Sequence, residues 1–163
     1  MLFRSQPLHP EHFVDHFQTA DVINLLAQAR VYRLGVLLLS HRLRHVFGQQ
    51  DSQAGIWAKE IMIELDLARQ VTKRPIRCVT IPFIVAAVEI CDPTSRTKAL
   101  QDVDKYVDQF SPVVQKAAKT FLSRIWHERD FKITYSWFDS VHKPCAVLQY
   151  IETRSEEHTS ELQ

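Results

Sequence analysis

The sequence predicts an all-α protein, and three observations support this fold class. Apolar residues recur at spacings of three and four along most of the chain, as on one face of a helix. Only 3 glycines occur in 163 residues, which argues against a β architecture with many tight turns. Short polar or proline-containing segments separate the apolar stretches. We therefore expect an irregular antiparallel bundle or array of about five to six helices, joined by short connections.

The first long helix is predicted to begin at Thr19 or Asp21, either of which could cap it, and to stop before Gly48. Residues 1–18 precede it and are predicted to form a leader loop with a short helix near residues 11–18. A regular apolar face runs along the long helix, and we expect this face to be buried. It consists of Val22, Leu25, Leu26, Ala29, Tyr32, Val36, Leu39, Leu43 and Val46.

The second helix is predicted to start after Asp51-Ser52, both of which are good caps, and to end at Lys73-Arg74-Pro75. Its apolar face consists of Ala54, Trp57, Ala58, Ile61, Leu65, Ala68 and Val71. A third, short helix is predicted after Thr80 as its cap, with Pro82 in its first turn, ending near Val88. Because this segment is apolar almost all round, we expect it to form the buried centre, although a strand is the competing interpretation of so short a run.

The fourth and fifth helices have the same start signal, a capping residue followed by proline at the first helical position. These pairs are Asp92-Pro93 and Ser111-Pro112. The fourth apolar face consists of Ala99, Leu100, Val103, Tyr106, Val107 and Phe110. The fifth consists of Val113, Val114, Ala117, Ala118, Phe121, Leu122, Ile125 and Trp126. A last short helix is predicted over residues 136–141, and the apolar segment 146–151 fits either a helix or a strand.

These elements divide the chain into the leader 1–18, a helical domain over 19–153 and a tail over 154–163. The tail has no apolar period, and it resembles the in-frame translation of a short-read sequencing adapter. We expect it to be non-native, and a charged, disordered tail is the alternative. We also expect the domain to be a fragment of a larger helical domain. Such a fragment should expose apolar surface near its N-terminal helices.

Composition and cysteine spacing exclude several kinds of function. The net charge is +1, which is too small to attract nucleic acid or acidic lipid by charge alone. The three cysteines are odd in number and have no C-x-x-C spacing, so neither a disulfide framework nor a thiolate zinc site is expected. No secretory signal is evident, and the longest apolar run is too short to span a bilayer. We expect a soluble intracellular protein.

The residue types used in catalysis are present, but their arrangement does not favour an active site. Two histidine pairs have the i, i+4 spacing of metal-binding helices, and two arginines separate the members of the second pair; the pairs are His12 with His16 and His41 with His45. Cys78 follows a basic residue but has no predicted acid–base partner. The carboxylate pairs Glu60/Glu64 and Asp104/Asp108 are typical of solvated helix faces. We therefore predict no catalytic, cofactor-binding or metal-binding residues, and a helical enzyme that uses the histidine pairs is the least favoured hypothesis.

The basic side of the first long helix is the best candidate for contact with a partner. It consists of Arg30, Arg33, Arg42 and Arg44, with His45 after them. No exposed aromatic residues alternate with these arginines, as they would in a protein that binds single-stranded nucleic acid. The alternative is a solvated helix side on which arginine stems cover the edges of the core.

Three segments resemble the fungal-specific transcription factor domain of zinc-cluster regulators. Residues 29–43 are similar to its recurring A-x-x-Y-x-x-A-x-x-L-Y-x-x-R-L helix, with Gly35 where that family often has alanine. Residues 81–89 are similar to its F-P-x-x-I-A-G-x-E helix. Residues 92–106, which contain Arg96, resemble the element that follows. Trp126, Trp137 and the closing segment also resemble the family's final helices, so the resemblance covers about residues 22–151.

This resemblance implies a nuclear transcription regulator that contacts protein partners or a small effector. In that family a separate six-cysteine cluster binds zinc and reads DNA, and none of those cysteines is present here. Zinc and direct nucleic-acid binding therefore cannot be carried over to this chain. From the residues themselves we expect no other cofactor, no membrane contact and no enzymatic activity. The alternative function is a stand-alone helical protein-interaction module.

Overall fold

The computed structural model describes residues 17–108, 110–136, 138–139 and 143. Within these residues the chain forms helices and no strand, which confirms the all-α prediction. The five helices are α1 (Thr19–Arg44), α2 (Asp51–Thr72), α3 (Thr80–Val88), α4 (Pro93–Tyr106) and α5 (Pro112–Asp130). The short helices predicted near residues 11–18 and 136–141, and the apolar segment 146–151, lie wholly or largely outside the described residues.

Proline marks the first helical position of α4 and α5, as predicted. Asp92 caps α4, since its Oδ2 accepts a hydrogen bond of 2.7 Å from the backbone N–H of Ser95. Ser111 occupies the cap position of α5 but makes no capping hydrogen bond with its side chain. The pattern of cap residue and proline therefore located both starts, although only one of the two caps makes the expected bond.

Three other predicted caps are wrong by one to three positions. Gln50 occupies the cap position of α2, so Asp51 and Ser52 lie inside its first turn. Gln18 occupies the cap position of α1, and both Thr19 and Asp21 lie inside its first turn. Val79 occupies the cap position of α3, so Thr80 is its first helical residue. Helix ends are the least certain part of a boundary assignment, and these differences leave the order of helices unchanged.

The helices α1 and α2 form an antiparallel pair, and α3 packs against both. The start of α1 lies beside the end of α2, where the Thr72 hydroxyl is 3.3 Å from Oδ1 of Asn24. The end of α1 lies beside the start of α2, where Arg42 binds Asp51. The helix α3 also contacts α4 and α5. It is buried over most of its length, with Phe83 at 0% exposure, so it is the centre predicted for this segment and not a strand.

The buried face of α1 is not the one predicted. The core-facing residues are Ala27, Val31, Leu34, Gly35 and Leu38, with Val22 near the start. Most of the predicted face is exposed instead, with Val36 at 59% and Leu43 at 72% exposure. The reason is that α1 has apolar residues on two sides. Periodicity reveals an apolar face, but it cannot show which of two such faces meets the rest of the protein.

The same two-sided apolarity makes α1 long and apolar enough to cross a membrane by length and composition alone. Its most apolar 18-residue window has a mean hydropathy of 1.4, and 28% of that window is buried. Core helices of soluble proteins pass this test as well. In this structure α1 packs against α2 and α3 through its inner face, which buries about a third of its apolar residues.

The inner faces of α2, α4 and α5 are largely as predicted. Ala54, Ala58, Ile61, Leu65 and Ala68 of α2 are all buried. The predicted faces of the other two helices are buried in their central parts. The exceptions lie at the ends of the helices: Val71, Phe110, Val113 and Val114 are exposed. Residues at the end of a helix have fewer neighbours, so they can be exposed even where the buried face of the helix is predicted correctly.

We expect Gly35→Ala to raise the free energy of unfolding by about 0.5–1 kcal/mol. Glycine costs backbone entropy inside a helix, and a Cβ at this position would lie 3.7 Å from Pro82 Cα, an ordinary van der Waals distance. Gly55→Ala is the matched control, because a Cβ there meets nothing within 4 Å. Urea denaturation of both variants checks this. A loss of stability for Gly35→Ala alone would mean that α1 and α3 are too close for a methyl group.

Candidate partner-binding surface

Three of the four predicted contact residues lie on the surface of α1. Arg30, Arg33 and Arg44 are exposed, and Nη1 of Arg30 forms an ion pair of 3.1 Å with Glu64 on α2. Arg33 and Arg44 have no ion pair with any residue that the structure describes. At roughly 100° per residue, the three side chains leave α1 within one sector. The three form a basic edge, in which Arg30 already faces Glu64, and Arg33 and Arg44 are open to an acidic group.

Arg42 is not on this surface, so its predicted role in partner contact is wrong. Its side chain is only 2% exposed. Its Nε and Nη2 donate to the two carboxylate oxygens of Glu89 at 2.8 and 2.7 Å, and Nη2 also donates to Asp51 at 2.7 Å. Its Nη1 donates to backbone carbonyls of the α1–α2 loop, including those of Val46 and Gln49. Arg42 continues the inner face of α1, four positions after Leu38, and therefore points into the protein.

A second arginine and an aromatic ring complete this buried group, which we call the Arg42 cluster: Arg42, Phe47, Asp51, Glu89 and Arg129. The guanidinium of Arg42 lies 5.2 Å from the centre of the Phe47 ring, and that of Arg129 lies 4.7 Å from it. Arg129 also reaches Asp51 at 3.5 Å and Glu89 at 3.7 Å. Two cations face two carboxylates, so the cluster carries no net charge and ties α1, α2, α3 and α5 together.

Electrostatics favours the charged form of Arg42. Burial by itself would lower its pKa, but the hydrogen bonds and charges of Glu89 and Asp51 outweigh burial and raise the pKa. Every N–H group of the guanidinium has an acceptor. The cluster has no reactive group left over, so we interpret it as structural.

Half of the large exposed apolar residues in the described part of the chain lie on α1 and α2, and the others include Phe110, Phe131 and Tyr135. On the outer side of α1 they are Leu25, Tyr32, Val36, Leu37 and Leu43, followed by Val46 in the next loop. On the outer side of α2 they are Ile56, Ile63, Leu67 and Val71. Large contiguous apolar patches are uncommon on monomeric proteins and usually mark contact sites. These two outer faces are therefore the candidate partner-binding surface.

The histidine pair that the structure describes is not arranged as a metal site. The rings of His41 and His45 lie 4.7 Å apart, but Nε2 of His41 is 3.3 Å from the carbonyl oxygen of Gln50 and its ring meets the edge of Trp57. Within the described part of the chain, no three His, Cys, Asp or Glu side chains come together as metal ligands. His12 and His16 lie outside the described residues.

The cysteines and paired carboxylates also have ordinary surroundings. Cys78 is an exposed free thiol, and its backbone carbonyl accepts a hydrogen bond of 2.8 Å from the Tyr32 hydroxyl. Glu64 binds Arg30, and Asp104 binds Lys119 at 2.8 Å. In both predicted carboxylate pairs, then, at least one member faces a base on another helix. This is the behaviour of solvated faces and not of an acid–base pair.

Asp66 of α2 joins α4 through a polar contact that sequence reasoning missed. The hydroxyl of Tyr106 donates to Asp66 at 2.6 Å, and Nζ of Lys98 donates at 2.8 Å. Burial by itself would raise the pKa of Asp66, but these two hydrogen bonds outweigh it and hold the pKa below its ordinary value. Burial and the Asp66 carboxylate raise the pKa of Tyr106. No spacing in the sequence could reveal a pair that is 40 positions apart.

We expect Asp66→Asn to flatten the acid side of the stability profile. The folded pKa of Asp66 is below its unfolded value of about 3.9, so its contribution is complete above that pH and is lost as the pH falls through the folded pKa. Urea midpoints measured between about pH 6 and pH 2.5 check this. Tyr106→Phe keeps the ring and removes one hydrogen bond, so it should flatten the profile less. Identical profiles for wild type and Asp66→Asn would contradict the expectation.

A cleft of about 330 Å³ lies between the segment before α3 and the end of α4. It is lined mostly by apolar groups, including Ile76, Tyr106 and Val107, and it also includes Arg77 and Lys105. Cys78, Thr80 and Asp108 also line the cleft, but no hydrogen bond joins the Cys78 thiol to a base in the described part of the chain. The cleft offers space for a small molecule but no set of groups that defines one.

These features define a class: a helical domain held by a buried ion-pair cluster, with exposed apolar helix faces suited to contact with another molecule. A family model described as the fungal specific transcription factor domain matches residues 2–148. The chain therefore belongs to the fungal-specific transcription factor domain family, which confirms the resemblance found in the sequence. No curated protein and no solved structure matches the chain significantly.

Membership of this family makes the chain a domain of transcription regulation, and the family implies the nucleus as its location. The family consists of transcription regulators and is not known for enzymes. The match covers the five described helices and extends into the leader, where the sequence alone had predicted a separate segment. The basic edge and the outer apolar faces are the parts of this domain that are open to a regulatory contact.

Proposed function

We propose that this chain regulates transcription through protein–protein contacts made by the outer faces of α1 and α2. In this proposal it neither reads DNA nor catalyses a reaction, and it acts in the nucleus. The observation that carries the proposal is the concentration of large exposed apolar residues on these two helices. The basic edge of Arg30, Arg33 and Arg44 lies along the same helix and would orient a partner.

The energetic argument concerns the cost of leaving these side chains in water. Burying apolar surface is worth roughly 25 cal/mol per Å², or about 1.5–3 kcal/mol for a fully buried Leu, Ile or Val side chain. Several such side chains on one face are enough to drive association, even after the entropy that association costs. Scattered single residues would not have this effect. The clustering on α1 and α2 is therefore what supports a contact site.

We also infer that the helical domain is part of a larger regulatory region. The outer faces of α1 and α2 resemble the inner faces of these helices in apolar character, as expected where further helices pack in the complete protein. The zinc-binding, DNA-reading module implied by the family would then belong to another part of the same protein. Partner contact and internal packing use the same chemistry, and the experiment below separates them.

The test is a transcription reporter in which the full chain is fused to a heterologous DNA-binding domain. We expect the fusion to change reporter output relative to the DNA-binding domain alone, and Val36→Glu on α1 to abolish the change. Lys116→Glu, a charge change at an exposed site of α5, is the control and should leave it intact. Thermal melting of each purified chain would show that both variants fold. Output that is identical with and without the chain would refute the proposal.

A further inference from the structure

The outer face of α1 has the spacing of a coiled-coil seam. Its apolar residues alternate at intervals of four and three, and they are Leu25, Ala29, Tyr32, Val36, Leu39 and Leu43, with Val46 continuing the series just beyond the helix. We call this series the α1 seam. A strict 3.5-residue repeat is what keeps an apolar strip facing one partner helix along its length. In α1, a helix about 39 Å long, the repeat persists through most of the length.

The α1 seam is distinct from the face that packs inside the domain. At roughly 100° per residue, its centre is about 145° around the helix from the centre of the inner face of Val31, Leu34 and Leu38. Val36 and Leu43 in the middle and at the end of the seam are largely exposed. The Tyr32 ring is held in place by the hydrogen bond from its hydroxyl to the Cys78 carbonyl. Ala29 and Leu39 are half-buried, and Leu39 packs against the core, so the seam is an ordered surface that is exposed mainly at Tyr32, Val36 and Leu43.

The charges beside the α1 seam all have one sign. Arg33 takes the position directly after a seam residue, where coiled coils place interhelical salt bridges, and Arg30 and Arg44 lie on the same side. The other flank consists of Gln28, Gly35 and Arg42, which contact α3 or the residues on either side of it. The acidic residue of α1, Asp21, is paired with Arg74. A complementary helix therefore needs carboxylates opposite an exclusively basic flank.

We propose that the α1 seam binds an acidic amphipathic helix of a partner protein, with apolar residues at coiled-coil spacing and Asp or Glu beside them. This inference rests on the proposed function and specifies the partner for one of its two surfaces. The apolar strip supplies affinity through burial, and the basic flank selects acidic over basic helices. Rejection of a basic helix follows from like charges at the same flank.

A second copy of α1 fits this surface poorly. In an antiparallel pair Arg33 would approach its own counterpart, and in a parallel pair it would meet the flank of Gln28 and Gly35, which has no carboxylate. Either arrangement leaves the arginines without a partner or brings like charges together. Charge complementarity therefore favours an acidic partner over self-association through this seam.

The probe is a synthetic helical peptide of about three heptads, with leucine at the seam positions and glutamate on both flanks. Fluorescence anisotropy of the labelled peptide, titrated with the full chain, should show saturable binding that weakens as salt increases. The same peptide with lysine in place of glutamate should bind at least about tenfold more weakly. Arg33→Glu should lower affinity for the glutamate peptide and raise it for the lysine peptide. A structural defect would not produce this reversal.

Val36→Glu should weaken binding by at least about tenfold, because it places a charge at the centre of the seam. Ile63→Glu on α2 is the matched control, with 54% exposure against 59% for Val36, and should bind as the wild type does. The proposal is overturned if the glutamate peptide does not bind, if Val36→Glu binds equally well, or if sedimentation shows a dimer that Val36→Glu dissociates. A reporter effect that persists without peptide binding would refute this inference alone and leave the proposed function standing.

Discussion

Replacing Arg42 with alanine is expected to lower the free energy of unfolding by about 3–5 kcal/mol, a large share of the stability of a small domain. The substitution leaves Glu89, whose side chain is 2% exposed, as a buried carboxylate without its bidentate partner. It also removes the donors that hold the carbonyls of the α1–α2 loop. Urea denaturation followed by circular dichroism measures the loss.

The matched control is Arg44→Ala, which removes an exposed arginine two positions away and should change stability by no more than about 0.5 kcal/mol. The double variant Arg42→Met with Glu89→Leu removes both charges and should recover much of the loss, because a well-packed apolar pair avoids the cost of burying ions. Equal stability of Arg42→Ala and Arg44→Ala would show that the Arg42 cluster contributes nothing. A double variant as unstable as Arg42→Ala would show that the cost comes from packing.

Phe83→Ala is the second substitution with a large expected effect, again about 3–5 kcal/mol. Phe83 is fully buried in α3, the helix that contacts all the others, and its ring lies 5.4 Å from that of Tyr106 on α4. The loss combines the transfer of a large apolar side chain with the cavity that remains in the hydrophobic core. The same denaturation experiment measures it, and the slope of the transition would show whether the folded state stays compact.

Ile81→Ala tests whether this cost comes from burial. Ile81 lies two positions earlier in the same helix but is 60% exposed, so we expect a loss below about 1 kcal/mol. Both substitutions shorten an apolar side chain of α3 to a methyl group, and they differ mainly in the surroundings of the side chain. Similar losses in the two variants would contradict the central position of α3.

The helices themselves were predictable because their signals are local. Proline at the first position of α4 and α5, and apolar residues every three or four positions in α2, act within one or two turns. The orientation of α1 was not predictable in this way. It has apolar residues on two sides, and the choice between them depends on α2 and α3, which are distant in sequence.

The candidate site was predictable only in part, for a related reason. The sequence identified the arginines of α1 as a group, but nothing local separates Arg42 from Arg44. The distinction comes from Glu89, which is 47 positions away, and from the direction in which the inner face of α1 points. The residues of the α1 seam were also recognised in the sequence, but they were predicted to belong to the core. Their exposure, on which the proposed binding depends, is set by tertiary packing.

The composition of the Arg42 cluster has a consequence for how the chain acquires its fold during synthesis. Arg42, Phe47 and Asp51 leave the ribosome early and Glu89 later, whereas the second guanidinium that covers the Phe47 ring is carried by residue 129. Until that residue emerges, one face of the ring and one carboxylate oxygen of Asp51 lack their final neighbour. The loop between α1 and α2 therefore reaches its final set of contacts only after α5 has been synthesised. A chain released before that point would lack the contacts of Arg129 with Phe47 and Asp51.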